Sequence, residues 1–256
     1  MKFQRAFAVM MIVLLGVGGA AVAESAYVDG IDGAFPPFSF IDENGEADGF
    51  DVEVIRWIAA EMDFEVEIVP IDWDAIIPTM LTGNIDLIAS GMTITAAREE
   101  RVAFTVPYWT IDLAVVVRET EDADGEPVPE LTLFTAVQAG RKIGVQRGTT
   151  SQDWLQEYVV DAGISVELVL YDNFLLALED LQIGRIDAAV MDGPTAQSGI
   201  SGLPLTIVGT INTGEIYGYA VRQTDTELLA LLNEGLRRIQ ASDAWDALVA
   251  KWLVGS

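Results

Sequence analysis

Along this chain, short runs rich in Val and Ile alternate with stretches whose apolar residues recur every three or four positions, the pattern of an α/β protein. From Asp51 to Met62, residues Val52, Ile55, Ala59 and Met62 share one helical face, with Asp51 as the expected cap. Phe64 to Val69 then reads as a strand, and Ile85 to Ala89 as a buried one. Asn44-Gly45, between the Phe38 to Ile41 run and Gly49, marks a hairpin turn. Between Thr224 and Leu253 two amphipathic helices are expected. Leu228, Leu231, Leu232 and Leu236 line one, and Trp245, Leu248, Val249 and Trp252 the next. Glu119 to Pro129, acidic and carrying Gly125, Pro127 and Pro129, reads as a solvated surface loop.

One pattern occurs twice. Leu81-Thr82-Gly83-Asn84-Ile85-Asp86-Leu87-Ile88 returns as Gln182-Ile183-Gly184-Arg185-Ile186-Asp187-Ala188-Ala189, each time after an amphipathic helix and before an apolar strand. Two similar lobes, each offering a loop at the end of an equivalent strand, would face each other across a cleft. The match is short, and chance reuse of a glycine-containing helix-to-strand turn is the alternative.

Composition narrows the setting. A basic start (Met1 to Arg5), an apolar run to Val17 and the small residues Ala21-Val22-Ala23 form an expected signal peptide over residues 1–23. The chain contains no cysteine, which leaves no disulfide, no thiol chemistry and no lipid-bearing cysteine after the leader, and no later stretch is apolar enough to cross a membrane. A protein of the periplasm or cell exterior without a lipid anchor is expected. The net charge is −26 at pH 7, and two units more negative once Lys2 and Arg5 leave with the leader, so nucleic acid is a poor partner. Without histidine or cysteine there is no Ser-His triad and no His or Cys metal site; no metal or cofactor is expected.

Candidate chemistry concentrates in Ser90-Gly91-Met92-Thr93-Ile94-Thr95-Ala96-Ala97-Arg98. The segment follows a buried strand, and open α/β sheets bind ligands at strand carboxyl ends. With Thr95 as N-cap, Arg98 falls at the third helical position, where the helix dipole favours a negative group, so the arginine is locally misplaced and calls for an anion. Free N–H groups of the Gly91 turn, the Thr93 and Thr95 hydroxyls and the guanidinium together form a candidate carboxylate grip. The alternative is a surface arginine balanced by Glu99 or Glu100.

Seven segments in order give the chain a resemblance that spans nearly the whole mature sequence. They are Asp32 to Phe38, Gly49 to Val52, Asp72 to Pro78, Gly91 to Arg98, Phe104 to Tyr108, Ile143 to Thr150 and Ala188 to Asp192. Together they resemble the polar amino acid family of bacterial extracellular solute-binding proteins, the capture subunits of ABC importers. The resemblance implies a type II periplasmic binding-protein fold: two α/β lobes, each a mixed sheet flanked by helices, with the ligand in the cleft between them. Residues 24–110 and 214–256 would form the first lobe and 111–213 the second, with crossings near Trp109 to Leu113 and Thr213 to Tyr217.

By the same resemblance, Arg98 pairs with a ligand α-carboxylate, helped by Thr93 and by the hydroxyl and backbone N–H of Thr150, with Gly91, Met92 and Thr149 also in the site. Asp192 and the Ser90 carbonyl receive the α-ammonium, Phe35 and Trp73 sandwich the side-chain stem, and Asp32 meets a polar or cationic tip. Each residue has a plainer reading: core packing for Phe35 and Trp73, turn formation for Asp32 and Asp192. The implied function is a non-catalytic, monomeric receptor that captures a free amino acid, with Gln, Arg, Lys or His favoured by Asp32 and the acidic chain, and delivers it to a membrane permease. Some similar proteins are prephenate or arogenate dehydratases, and carboxylate chemistry by Asp32 or Asp192 is the enzymatic alternative. A ligand sensor acting in trans is a third reading.

Overall fold

A computed structural model describes residues 26–254; the expected signal peptide lies outside them. The chain begins with β1 (Tyr27–Ile31), a small sheet of β2 (Ala34–Phe35), β3 (Ser39–Ile41) and β4 (Ala47–Asp48), then α1 (Phe50–Met62), β5 (Val66–Pro70), α2 (Trp73–Leu81), β6 (Leu87–Ile88), the single turn α3 (Ala96–Glu99) and β7 (Val102–Phe104). It continues through β8 (Trp109–Glu121), β9 (Pro127–Pro129), α4 (Leu133–Ala136), β10 (Lys142–Gln146) and α5 (Thr150–Leu155), which runs on as a π-helical turn. Then come β11 (Glu167–Tyr171), α6 (Phe174–Gln182), β12 (Ala188–Asp192), α7 (Gly193–Gly199) and β13 (Leu205–Tyr217). Finally β14 (Ala220–Arg222), α8 (Thr226–Gln240) and α9 (Asp243–Trp252) return to the first part. The two main sheets run β5-β1-β6-β14-β7 and β11-β10-β12-β8-β13.

These orders are the same order. In each, three parallel strands are followed by one that pairs antiparallel, so both sheets are mixed. The sequence echo marks the shared unit. Gly83 and Gly184 close α2 and α6 in the left-handed region, at φ of 80° and 77°. Asp86 and Asp187 then accept the backbone N–H of Val28 and Lys142, each at 2.9 or 2.8 Å, tying β6 to β1 and β12 to β10. Arg222 donates to the Met80 and Ile85 carbonyls, and Arg118 to those of Leu181 and Ile186, so one guanidinium brackets each helix-to-strand turn. Glycine inside the first strand also has its reason: a Cβ on Gly30 would lie 2.3 Å from Ile85, and one on Gly144 2.4 Å from Ile186.

Most local expectations hold. The Asn44-Gly45 turn joins β3 to β4, and α8 buries Leu228, Leu232, Leu236 and Ile239 against the core. Four need correction. The strand expected over Ile85 to Ala89 pairs only as β6, Leu87–Ile88, although the residues around it are buried. Asp51 does not cap α1: the chain enters the helix from Gly49, and Asp51 is wholly buried inside the first turn. The strand after α1 starts at Val66, because the left-handed Asp63 and the following residues complete the helix end. The acidic segment after Glu119 is a hairpin arm, not a free loop; β9 pairs with the end of β8, and Asp122 accepts the Asp124 and Glu126 N–H groups as Asp42 does those of Asn44 and Glu46. Between the sheets, β8 and β13 pair along most of their length, with one irregularity at Val208. Their register slips between Ile211 and Glu215, where Asn212, Thr213 and Gly214 stand opposite Asp112 alone.

Candidate functional site

The carboxyl ends of β1, β6, β10 and β12 converge on one cleft, narrow in this structure and lined from both sheets, the place where open α/β sheets bind ligands. Both sheets contribute walls. Hydrogen bonds cross between them: Trp73 Nε1 and Arg98 Nη2 each donate to the Gly148 carbonyl at 3.1 Å, and Gln146 Nε2 donates to Asp32 Oδ2 at 2.7 Å.

At one end lies Arg98. Thr95 caps α3 by accepting the Arg98 N–H, which places the guanidinium at the third helical position as the spacing predicts. The guanidinium donates to the Thr93 carbonyl at 2.9 Å and sits 5.4 Å from the Trp73 ring centroid. Among the described residues no carboxylate lies within ion-pair distance of it, so Glu99 and Glu100 do not balance it. Burial draws its pKa down from the ordinary arginine value, with Asp153, Asp192 and Glu215 opposing. A cation held this way, its fork only partly used by neutral carbonyls, is matched to a carboxylate.

Opposite it stands Asp192, at the end of β12 and 6% exposed. Its Oδ1 has no hydrogen-bond partner among the described residues, and neither does the buried Tyr217 hydroxyl. Burial first, then the charge of Glu215, raises the Asp192 pKa to about 7, with Arg98 and the nearby Tyr217 hydroxyl opposing. A buried carboxylate oxygen with no donor nearer than the Tyr217 hydroxyl beside it is costly, and an ammonium relieves it.

The third region is aromatic and polar. Phe35 and Phe174 rings stand 6.0 Å apart, and Trp73 lines the same cavity. Asp32 Oδ1 accepts the Ala34 N–H while Oδ2 takes the Gln146 amide. Burial raises the Asp32 pKa, partly offset by those two donors.

Of the residues expected in the site, Asp32, Phe35, Trp73, Ser90, Gly91, Thr93, Arg98, Thr149, Thr150 and Asp192 line the cavity. Met92 does not. Its side chain is fully buried among Ile76, Ile77 and Met80, and its carbonyl accepts the Gly218 N–H. The Gly91 N–H is not free either, since it donates at 2.7 Å to Asp51 Oδ2. Ser90 Oγ is engaged with the Asp32 N–H and Ser39, which leaves only its carbonyl for a ligand. Thr149 caps α5 and donates to the Gln146 carbonyl. The Thr93 and Thr150 hydroxyls both donate to Glu215 Oε2, at 3.0 and 2.6 Å. Each has a single proton, so while Glu215 holds both they can accept from a ligand but not donate to its carboxylate.

Gln146, Phe174 and Glu215 were missed from the sequence. Two had a signal: when the echoed units are aligned on Gly30 and Gly144 and on Gly83 and Gly184, Gln146 is the counterpart of Asp32 and Phe174 that of Trp73. Glu215 had none, because the bulge of β13 that brings it beside Thr93 and Thr150 leaves no periodic trace.

Comparison with known proteins adds a family. Residues 28–255 match the bacterial extracellular solute-binding proteins, family 3. The L-arginine-binding protein of Pseudomonas aeruginosa is 32% identical over 232 residues, covering 87% of this chain and 86% of that one. The solved structure of an ancestral arginine-binding protein bound to arginine is 35% identical, with a TM-score of 0.80 over 89% of this chain and 98% of its own. A second, at 34% identity and a TM-score of 0.79 over 89% and 95%, is an ancestral amino acid-binding protein that is a precursor of cyclohexadienyl dehydratase.

Proposed function

The chain belongs to the bacterial extracellular solute-binding proteins, family 3, and from that premise we propose that it captures a single polar or basic L-amino acid in this cavity and hands it to the permease of an ABC importer. One observation carries the reading: a half-buried cation, Arg98, and a buried carboxylate oxygen, Asp192 Oδ1, line the same cleft, and among the described residues the first has no carboxylate partner and the second no donor within hydrogen-bond distance. A zwitterion completes both. The ligand carboxylate pairs with Arg98 and with N–H groups of the first turn of α5, while the α-ammonium meets Asp192. Phe35, Trp73 and Phe174 hold the stem, and Asp32 with Gln146 receives the tip.

The lobes are residues 24–110 with 214–256, and 111–213, and β8 with β13 is the hinge between them. Closure depends on the ligand because Arg98 and Asp192 come from different lobes and attract its two ends at once. The protein works as a non-catalytic monomer in the periplasm or at the cell exterior after loss of residues 1–23. Incubation with prephenate and with arogenate is expected to leave both unchanged; an aromatic product would make it an enzyme.

Thermal unfolding in the presence of each common amino acid, with cystine included, tests the reading. Stabilisation by arginine, lysine, histidine or glutamine is expected, by about 2.7 kcal/mol at a hundredfold excess over Kd. Stabilisation by leucine or glutamate alone would overturn the side-chain assignment, and no stabilisation by any would overturn the function.

A further inference from the structure

Asp51 is a wholly buried carboxylate that stands behind the ligand loop, not in it. Its Oδ2 accepts the Gly91 N–H at 2.7 Å and the Tyr108 hydroxyl at 2.9 Å, and its Oδ1 accepts the Tyr219 hydroxyl at 3.1 Å. Tyr108 immediately precedes β8, and Tyr219 lies two residues past the end of β13. One side chain therefore ties the start of α1 to the ligand loop and to both points where the chain meets the hinge strands.

The consequence follows from peptide geometry. In a trans peptide the N–H and C=O of one unit point in opposite directions. With the Gly91 N–H drawn back into the first lobe by Asp51, the Ser90 carbonyl of the same unit is turned outward, to the cavity that Ser90 lines. No described residue donates to that carbonyl. Gly91 itself has φ of +54°, and a Cβ there would come within 2.4 Å of the Phe35 ring, so the turn that permits this aim demands glycine.

We infer that Asp51 is a positioning residue for ammonium recognition: by anchoring the Gly91 N–H it aims the Ser90 carbonyl at the ligand α-ammonium, as a second acceptor beside Asp192. The inference rests on the amino-acid reading of the cavity. A carboxylate behind the peptide also polarises it, because hydrogen bonds in sequence strengthen one another. The selectivity of the site for amino acids over simple acids is thus set partly from outside the cavity.

The test compares L-arginine with 5-guanidinopentanoate, which keeps the carboxylate and tip but lacks the α-ammonium, by calorimetric titration. Asp51→Leu removes the acceptor, and Asp51→Asn restores an oxygen of similar placement. L-Arginine affinity is expected to fall about tenfold or more in Asp51→Leu, with 5-guanidinopentanoate changed less than about twofold, and Asp51→Asn is expected to recover most of the loss. Equal losses for both compounds, or none, would overturn the inference and leave Asp51 a structural residue. If wild-type protein binds neither compound, arginine is not its ligand, and the same comparison is made between the amino acid that stabilises it most and that amino acid's analogue without the α-ammonium; if no amino acid binds, the amino-acid reading fails first. Hydrogen exchange of the wild-type Gly91 amide gives a check that does not depend on a variant folding: slow exchange with and without L-arginine is expected, and exchange as fast as a free loop would contradict the anchor.

Discussion

The two sheets share a scaffold and differ where they face each other. Arg222 and Arg118 bracket equivalent turns, Gly30 and Gly144 make equivalent room, and Asp86 and Asp187 lock equivalent strands. At the cleft the same positions diverge: Asp32 opposes Gln146, Trp73 is matched by Phe174, and Gly91, whose N–H is anchored inward, corresponds to Asp192, whose carboxylate points at the cavity. Arg98, in the single turn α3 after β6, has no counterpart across the cleft. A repeated unit fixes where side chains stand, and divergence at a few positions gives the cleft its polarity, cation on one side and carboxylate on the other.

The strongest way to break this asymmetry is to remove either pole. Arg98→Ala and Asp192→Asn are each expected to weaken ligand binding by about 2–5 kcal/mol, since each leaves one end of the zwitterion buried and unpaired. Titration calorimetry with the stabilising amino acid measures it; an unchanged affinity for either variant removes that residue from the site. The scaffold should respond in the opposite way. Arg118→Leu and Arg222→Leu each deprive two carbonyls of a charged donor, so similar losses of about 2–4 kcal/mol in urea unfolding are expected, with affinity retained once the protein is folded. Unequal losses would mean that the two units are alike in shape but not in energetics.

A smaller effect separates the poles by pH. The Asp192 pKa is raised to about 7 by burial and by Glu215. Below that pH the carboxylate takes up a proton and no longer pairs an ammonium, so affinity should fall toward one decade per pH unit and level off above it. The folded state keeps a proton there that an unfolded aspartate loses near pH ~3.9, so this group's contribution to stability declines as pH rises from there to about 7. Glu215→Gln removes one cause of the shift, and the midpoint of binding should move to lower pH. A midpoint that stays in place would show that Glu215 does not act on Asp192.

Sequence alone made the scaffold legible, because the echoed Gly-x-Ile-Asp turn reports a local structure twice. It made Arg98 legible too, since a cation at the third position of a capped helix conflicts with local electrostatics. Asp51 was misread because an acidic residue at a helix start usually caps it. Its burial depends on Tyr108 and Tyr219, 57 and 168 residues away. Met92 was misplaced for a related reason: a loop residue between two site residues has its direction set by turn geometry, which aims it into the core. Glu215 was invisible because a carboxylate in so acidic a chain carries no distinction until a bulge brings it against two hydroxyls.

The most direct measurement is a crystal structure of the protein with the amino acid that stabilises it most. The ligand should lie between the lobes with its carboxylate on Arg98, its ammonium on Asp192 and the Ser90 carbonyl, and its side chain running between the aromatic rings to Asp32 and Gln146. A ligand bound in the reverse direction, or outside this cleft, would contradict the assignment of the two poles.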